Sequence, residues 1–255
     1  MPRLRCALVL LVCLCTLVVP ARRTHAQETT AATGAIPRRV APGDTTLRAM
    51  RLRADTAVYL LTAFRDGSEL SVGSITDVIS RDGGDTPLLR RVLTVQRGAS
   101  RLIDSTLSDA RTLAPRQHRS QQPQRQLRID FAGLKVRGTI GPLDGPGVSV
   151  DTTIASAVFD SGNWDLVVRA MPLAPGYAAV FRVYDIETGM HDYVVRVIGA
   201  TPMMGETAHV VLFQLGGQRE VTVWIGETTR HLLQVETPLG PTTVLRQTLR
   251  ARATP

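Results

Sequence analysis

Four histidines lie beyond the first 26 residues, His118, His191, His209 and His231, and they are the side chains best suited to metal or proton-transfer chemistry. Their spacing supports neither. No H-x-H or H-E-x-x-H pattern occurs, so the helical zinc signature is absent. His191 and Asp192 are adjacent at the start of an extended run, where neighbouring side chains point to opposite faces. They read as strand-edge polar residues, and so do His209 and His231, each at the start of a strand. No G-x-S-x-G elbow is present, and Lys135 is the one lysine, so a Ser-Lys pair would need an exposed hairpin residue. Asp82-Gly83-Gly84-Asp85 offers two carboxylates, fewer than a calcium site uses, and reads as a turn. The chain is therefore expected to be no enzyme, with no catalytic residues, no metal and no cofactor.

Two sets of residues suit binding instead. Arg111, Arg116, Arg119 and Arg125, with His118, fall within residues 111–125, a stretch that carries no acid. Guanidinium forks match phosphate and carboxylate oxygens, so this set is a candidate patch for anionic lipid or an acidic partner. The competing reading is a solvated connecting segment. The second set is apolar: Trp164, Val168, Met171 and Trp224. These read as core, and become ligand-facing where the sheet that carries them is left open.

The elements that must position these residues are mostly strands. Period-two alternation in short runs, separated by Gly, Pro and Asp turns, extends from Leu47 to Arg250. In Gln126–Phe131, residues Leu127, Ile129 and Phe131 share one face, and Ala132-Gly133 supplies the turn into Leu134–Arg137. Further hairpins join Tyr177–Tyr184 to His191–Ile198, His209–Gln214 to Arg219–Ile225, and His231–Thr237 to Thr242–Leu249. The N-terminal half adds Ala57–Phe64, Ser68–Arg81, Leu88–Arg97 and Arg101–Asp109. About a dozen strands with short connections suit one sheet that curls. One segment departs from this pattern: Trp164, Val167, Val168 and Met171 repeat at helical spacing, with Asp160 or Ser161 to cap and Pro172 to stop. Asp165 and Arg169, four apart, read as a supporting pair on the side of that helix.

All three cysteines (Cys6, Cys13, Cys15) lie in the apolar run Cys6–Val19, preceded by Arg3 and Arg5 and followed by Pro20 and Thr24-His25-Ala26. That layout is a secretory signal peptide over residues 1–26, and its run of about 14 residues is shorter than a bilayer span. Val12 and Leu14 precede Cys13 and Cys15, where a lipid anchor needs a small residue. Residues 27–46, rich in Thr, Ala, Gly and Pro, read as a flexible linker, and residues 47–250 as one domain. The expected product is periplasmic or secreted, not integral to a membrane, monomeric and free of disulfides. The net charge of +8 includes four leader arginines (Arg3, Arg5, Arg22, Arg23). The rest is spread along the chain and aromatics are 4%, which excludes the basic, aromatic-studded face of a nucleic-acid binder.

The segments Asn163–Leu173 (NWDLVVRAMPL), Gly176–Asp185 and Val223–Glu236, with Thr112-Leu113-Ala114-Pro115 and the Leu127–Gly138 hairpin upstream, resemble the bacterial family called domain of unknown function 3108. That family is similar in architecture to the lipoprotein-carrier and lipoprotein-receptor half-barrels, LolA and LolB. The resemblance covers about Leu47 to Leu249. It implies an all-β fold: an antiparallel open or half β-barrel of about 10–12 strands crossed by a short amphipathic helix. It also implies an exported location and shelter for an acyl chain, a lipid or a lipoprotein. It supplies no catalytic residues. The alternative is a cell-envelope structural or interaction protein whose barrel is filled by side chains. After Ile198 the sequence departs from the family's glycine-bounded hairpin, with Gly199–Gly205 carrying Met203-Met204.

Overall fold

The computed structural model describes residues 36–215 and 219–253. Its strands are β1 (Arg38–Val40), β2 (Asp55–Arg65), β3 (Ser68–Asp82), β4 (Leu88–Arg97), β5 (Ser100–Asp109), β6 (Pro115–Gln121), β7 (Arg125–Ala132) and β8 (Lys135–Pro142). They continue with β9 (Val148–Thr153), β10 (Phe159–Asp160), β11 (Ala178–Asp185), β12 (Gly189–Met203), β13 (Glu206–Leu215), β14 (Arg219–Gly226), β15 (Leu232–Pro238) and β16 (Thr243–Ala253). The α-helix is α1 (Trp164–Ala170), entered through a 3-10 turn at Ser161–Asn163; a second 3-10 turn spans Ala49–Arg51.

All the strands belong to one sheet, ordered β1-β11-β12-β13-β14-β15-β16-β2-β3-β4-β5-β6-β7-β8-β9, with β10 also on β11. Two up-and-down meanders, β2 to β9 and β11 to β16, are joined where the last strand pairs antiparallel with the first long one (Leu245↔Ala63). The path does not close: β9 ends one side and β1 the other. Over the described residues the protein is an all-β open half-barrel with one short helix. The twelve strands expected from alternation are present; β1, β6, β9 and β10 are additional. β6 is polar along its length, β9 has only Val148 and Val150 as apolar residues, and β1 and β10 are very short, so none shows an extended apolar period.

Alternation becomes burial as expected. In β7, Leu127, Ile129 and Phe131 face inward, while Arg128 and Asp130 are exposed. Register shows the β7–β8 turn to be Gly133-Leu134, since Ala132 pairs with Lys135. Gly133 supplies the left-handed φ of 63°. The inward side chains form two apolar clusters. The larger includes Ile75, Leu93, Val168, Met171, Phe181, Phe213, Val221 and Val235. The smaller gathers Leu127, Ile129, Phe131, Val136, Ile154, Val158 and Tyr184.

Two expectations are corrected. The linker expected over residues 27–46 is strand in part, because β1 pairs in parallel with β11 and buries Val40 to 2% exposure. Pairing with β1 satisfies backbone groups that β11 would otherwise leave unpaired at the sheet edge. The packed domain thus begins by Arg38 and not at Leu47; residues 1–35, including the expected signal peptide, lie outside the described residues. The Asp165–Arg169 pair is no surface pair either. Both residues are buried, and they belong to an ionic cluster with Arg91 and Asp77.

Arg91 on β4 is 5% exposed and directs its whole guanidinium inward. Nε and Nη2 donate to Asp77 at 2.8 Å each, and Nη1 and Nη2 to Asp165 at 2.6 and 3.2 Å. Nη1 also donates to the Gly162 carbonyl at 3.2 Å. A guanidinium has five N–H donors, and these five bonds match that number. Burial alone would pull the Arg91 pKa down; the charges of Asp165 and Asp77 outweigh it and hold the group cationic. Asp77 sits diagonally from Arg91 across the β3–β4 ladder, and Asp165 lies in the first turn of α1. The cluster therefore pins the helix start to the sheet. Asn163 adds two bonds to β5, accepting from Thr106 Oγ1 at 2.8 Å and donating to Ser108 Oγ at 3.3 Å.

Arg91→Leu leaves the buried Asp77 without a cation and Asp165 with Arg169 alone, and removing one partner of a buried pair costs about 3–5 kcal/mol. Urea unfolding of this variant is expected to show a loss of that size. A loss below about 1 kcal/mol would show that the cluster does not hold the helix.

Candidate functional site

The seam between the two apolar clusters is an open groove on the concave face. Ile75, Leu93, Val221, Leu232 and Val235 line it from the larger cluster, and Leu127, Ile129, Phe131 and Tyr184 from the smaller. Its cavity volume is about 150 Å³, room for on the order of ten water molecules. Helix α1 has seven residues, about 10 Å of axis, and so roofs only part of the sheet. Trp164, at its first position, stacks on Phe213 with ring centroids 4.5 Å apart and also forms part of the groove wall.

Polar side chains gather where the helix enters. His118 on β6 lies with Nδ1 2.9 Å from Asp160 Oδ1 and Nε2 3.9 Å from Asp104 Oδ1. Asp160 also caps the 3-10 turn by accepting from Gly162 N at 2.7 Å. Gly162 is closely packed: a Cβ there would sit 3.0 Å from His118 Cε1 and 3.2 Å from Asp160 Oδ1, so those side chains would have to shift slightly. Burial alone would lower the His118 pKa. The charge of Asp160 and hydrogen bonds to Asp104 and Asp160 outweigh it and raise it to about 10. At the other polar margin Arg125 pairs with Glu187, beside Asp185 and Gln122. Asp185 accepts from Thr188 Oγ1 at 2.8 Å and from Ser161 Oγ at 3.3 Å. The arrangement is a largely apolar slot with ion-paired and hydrogen-bonded acids, His118 and Arg125 at its margins. Among the described residues no group of three His, Cys, Asp or Glu is placed to hold a metal ion.

The residues expected to bind a ligand separate. Trp164 lines the groove. Val168 and Met171 are buried to 0% and 1% exposure within the core beneath the helix, so they do not reach it. Trp224 is on the opposite face: Val221, Val223 and Ile225 of β14 point inward, and strand parity turns Trp224 outward. The arginine patch separates too. Arg111 and Arg116 are exposed, Arg119 donates to Asp130 at 2.7 Å, and Arg125 pairs with Glu187. The stretch is no solvated connector, since β6 pairs with both β5 and β7. Sequence reasoning missed Arg91, Asp104, His118 and Asp160 as wall and floor residues.

His118 gives the domain a definite pH response. Its folded pKa lies above the free value of 6.5, so its stabilisation is complete below pH 6.5 and is lost as pH rises through about 10. The thermal midpoint, measured relative to His118→Gln, is expected to fall across that window. A constant difference between the two proteins would contradict it.

Among curated proteins none matches this chain. Solved structures similar to it at low identity include the following two. A DUF1329 family protein from Desulfovibrio piger is 9% identical with a TM-score of 0.27, over 83% of this chain and 87% of its own. A LolA superfamily protein from Nitrosomonas europaea is 7% identical with a TM-score of 0.23, over 85% of this chain and 94% of its own. The family described as "Protein of unknown function (DUF3108)" matches residues 58–248, from β2 to β16, and the chain belongs to that family.

Proposed function

We propose that the domain is an exported, non-catalytic binding module that holds an apolar chain, such as the acyl chain of a lipid or lipoprotein, in the groove beside Trp164. One observation carries this reading: an apolar slot remains open between two packed clusters, roofed only in part by α1. Concave, mostly apolar sites with a few placed polar groups are where small molecules bind. An interaction protein with a filled core would close this seam with side chains, so the open slot supports the binding reading over that alternative. The leader-like residues 1–26 support export to the periplasm or medium. Among the described residues no helix is long and apolar enough to cross a membrane.

The polar groups give the groove direction. Apolar walls from Ile75 to Val235 suit methylenes, each worth about 0.8 kcal/mol when buried. The Arg125–Glu187 and Asp185 margin suits the wetter end of an amphiphile. A fluorescent fatty-acid probe is expected to bind saturably and to be displaced by unlabelled fatty acid. Trp164→Ala should weaken binding about tenfold, or about 1.4 kcal/mol, while Trp224→Ala leaves it unchanged. Absence of saturable binding, or equal losses in the two variants, would contradict the assignment.

A further inference from the structure

The C-terminal end of α1 carries a second polar cluster, separate from the groove. His209 on β13 is 4% exposed and Arg230, in the β14–β15 turn, is 7% exposed. Among the described residues neither ring nitrogen of His209 has a hydrogen-bond partner, and neither do Nε and Nη1 of Arg230. Two exposed arginines flank them from the N-terminal segment: Arg48, whose N–H donates to the Ala170 carbonyl at 2.8 Å, and Arg51 in the adjoining 3-10 turn. The cluster is tied to the helix by Arg169, whose Nε donates to the Arg230 carbonyl at 2.7 Å.

Acids close by are engaged elsewhere. Glu206 accepts from the Thr229 hydroxyl at 2.6 Å and from its N–H at 3.3 Å. Asp55 takes His231 at 2.9 Å and Arg252 at 3.7 Å. Glu227 is exposed and makes no ion pair with Arg230 among the described residues. A buried cation without a hydrogen-bonded partner is costly; burial, Arg51 and Arg48 bear on Arg230 in one direction, and the exposed Glu227 opposes them only in part. Such a set is stable when an anion completes it. Guanidinium forks match the tetrahedral oxygens of phosphate, two N–H groups to each pair of oxygens.

We propose that Arg230 and His209, with Arg48 and Arg51 at the rim, form a binding site for a phosphate-type oxyanion. The anion would accept from the unpartnered Arg230 Nη1 and from a ring nitrogen of His209. It is either free in solution or the phosphate of a lipid headgroup, and the two sources are separable.

The test follows the thermal midpoint of the purified protein in inorganic phosphate against sodium chloride at matched ionic strength. Sedimentation with phosphatidylglycerol vesicles forms the second arm. A ligand that binds only the folded state raises the midpoint with its concentration. Phosphate is expected to raise the midpoint beyond chloride, and Arg230→Gln to abolish that excess. Vesicle binding lost in Arg230→Gln, without a response to free phosphate, assigns the anion to a lipid headgroup and also supports the site. Should Arg230→Gln not fold, Arg51→Gln at its exposed position is expected to move the phosphate response to several-fold higher concentration. Equal midpoints in phosphate and chloride together with no vesicle binding would overturn the proposal. So would a phosphate or vesicle response that the variants leave unchanged.

Discussion

The guanidinium of Arg91 commits all its donors to Asp77, Asp165 and the Gly162 carbonyl, and the position of the helix follows from those bonds. A seven-residue helix has little stability of its own. Here its first turn is fastened to β3 and β4 through Arg91 and to β5 through Asn163. Its apolar residues Val167 and Val168, with Met171 just past its end, then sink into the larger cluster. The formal charges of Asp77, Arg91, Asp165 and Arg169 sum to zero, so the cluster can be buried without stranding a charge.

This anchoring explains why a groove exists. Trp164, the Arg91 cluster and the His118–Asp160 pair occupy the place where the two apolar clusters would otherwise meet. Ion-paired groups cannot be displaced by neighbouring leucines without breaking bonds that cost several kcal/mol. The helix is too short to cover the concave face beyond them. Leu127, Ile129 and Phe131 on one wall therefore face Leu232 and Val235 on the other across open space.

The sheet was legible in the sequence because alternation is a direct image of burial in an antiparallel strand. The same parity carried a signal for the ionic floor. Asp77 falls in step with Ile75 and Ile79, and Arg91 in step with Leu89 and Leu93, so each is a charge on an apolar face. What sequence spacing cannot give is which distant residue answers such a charge. Asp165 and Arg169 at i, i+4 satisfy the pattern of a surface pair, and only the packing of α1 on β4 makes them interior. His118 was hidden for a similar reason: its strand is polar throughout, and strand pairing with β5 and β7 brings it inside. Trp224 shows the converse, an apolar residue that parity turns away from the groove.

The two tryptophans make the groove directly measurable, since Trp164 lies on its wall and Trp224 on the opposite face of the sheet. Fatty acids brominated near the middle of the chain quench indole fluorescence only at close contact. With Trp224→Phe, leaving Trp164 as the single reporter, saturating brominated chain should quench most of the emission. With Trp164→Phe, leaving Trp224, emission should stay near its unliganded level. Quenching of both to the same extent, or of neither, would contradict an acyl chain held beside α1.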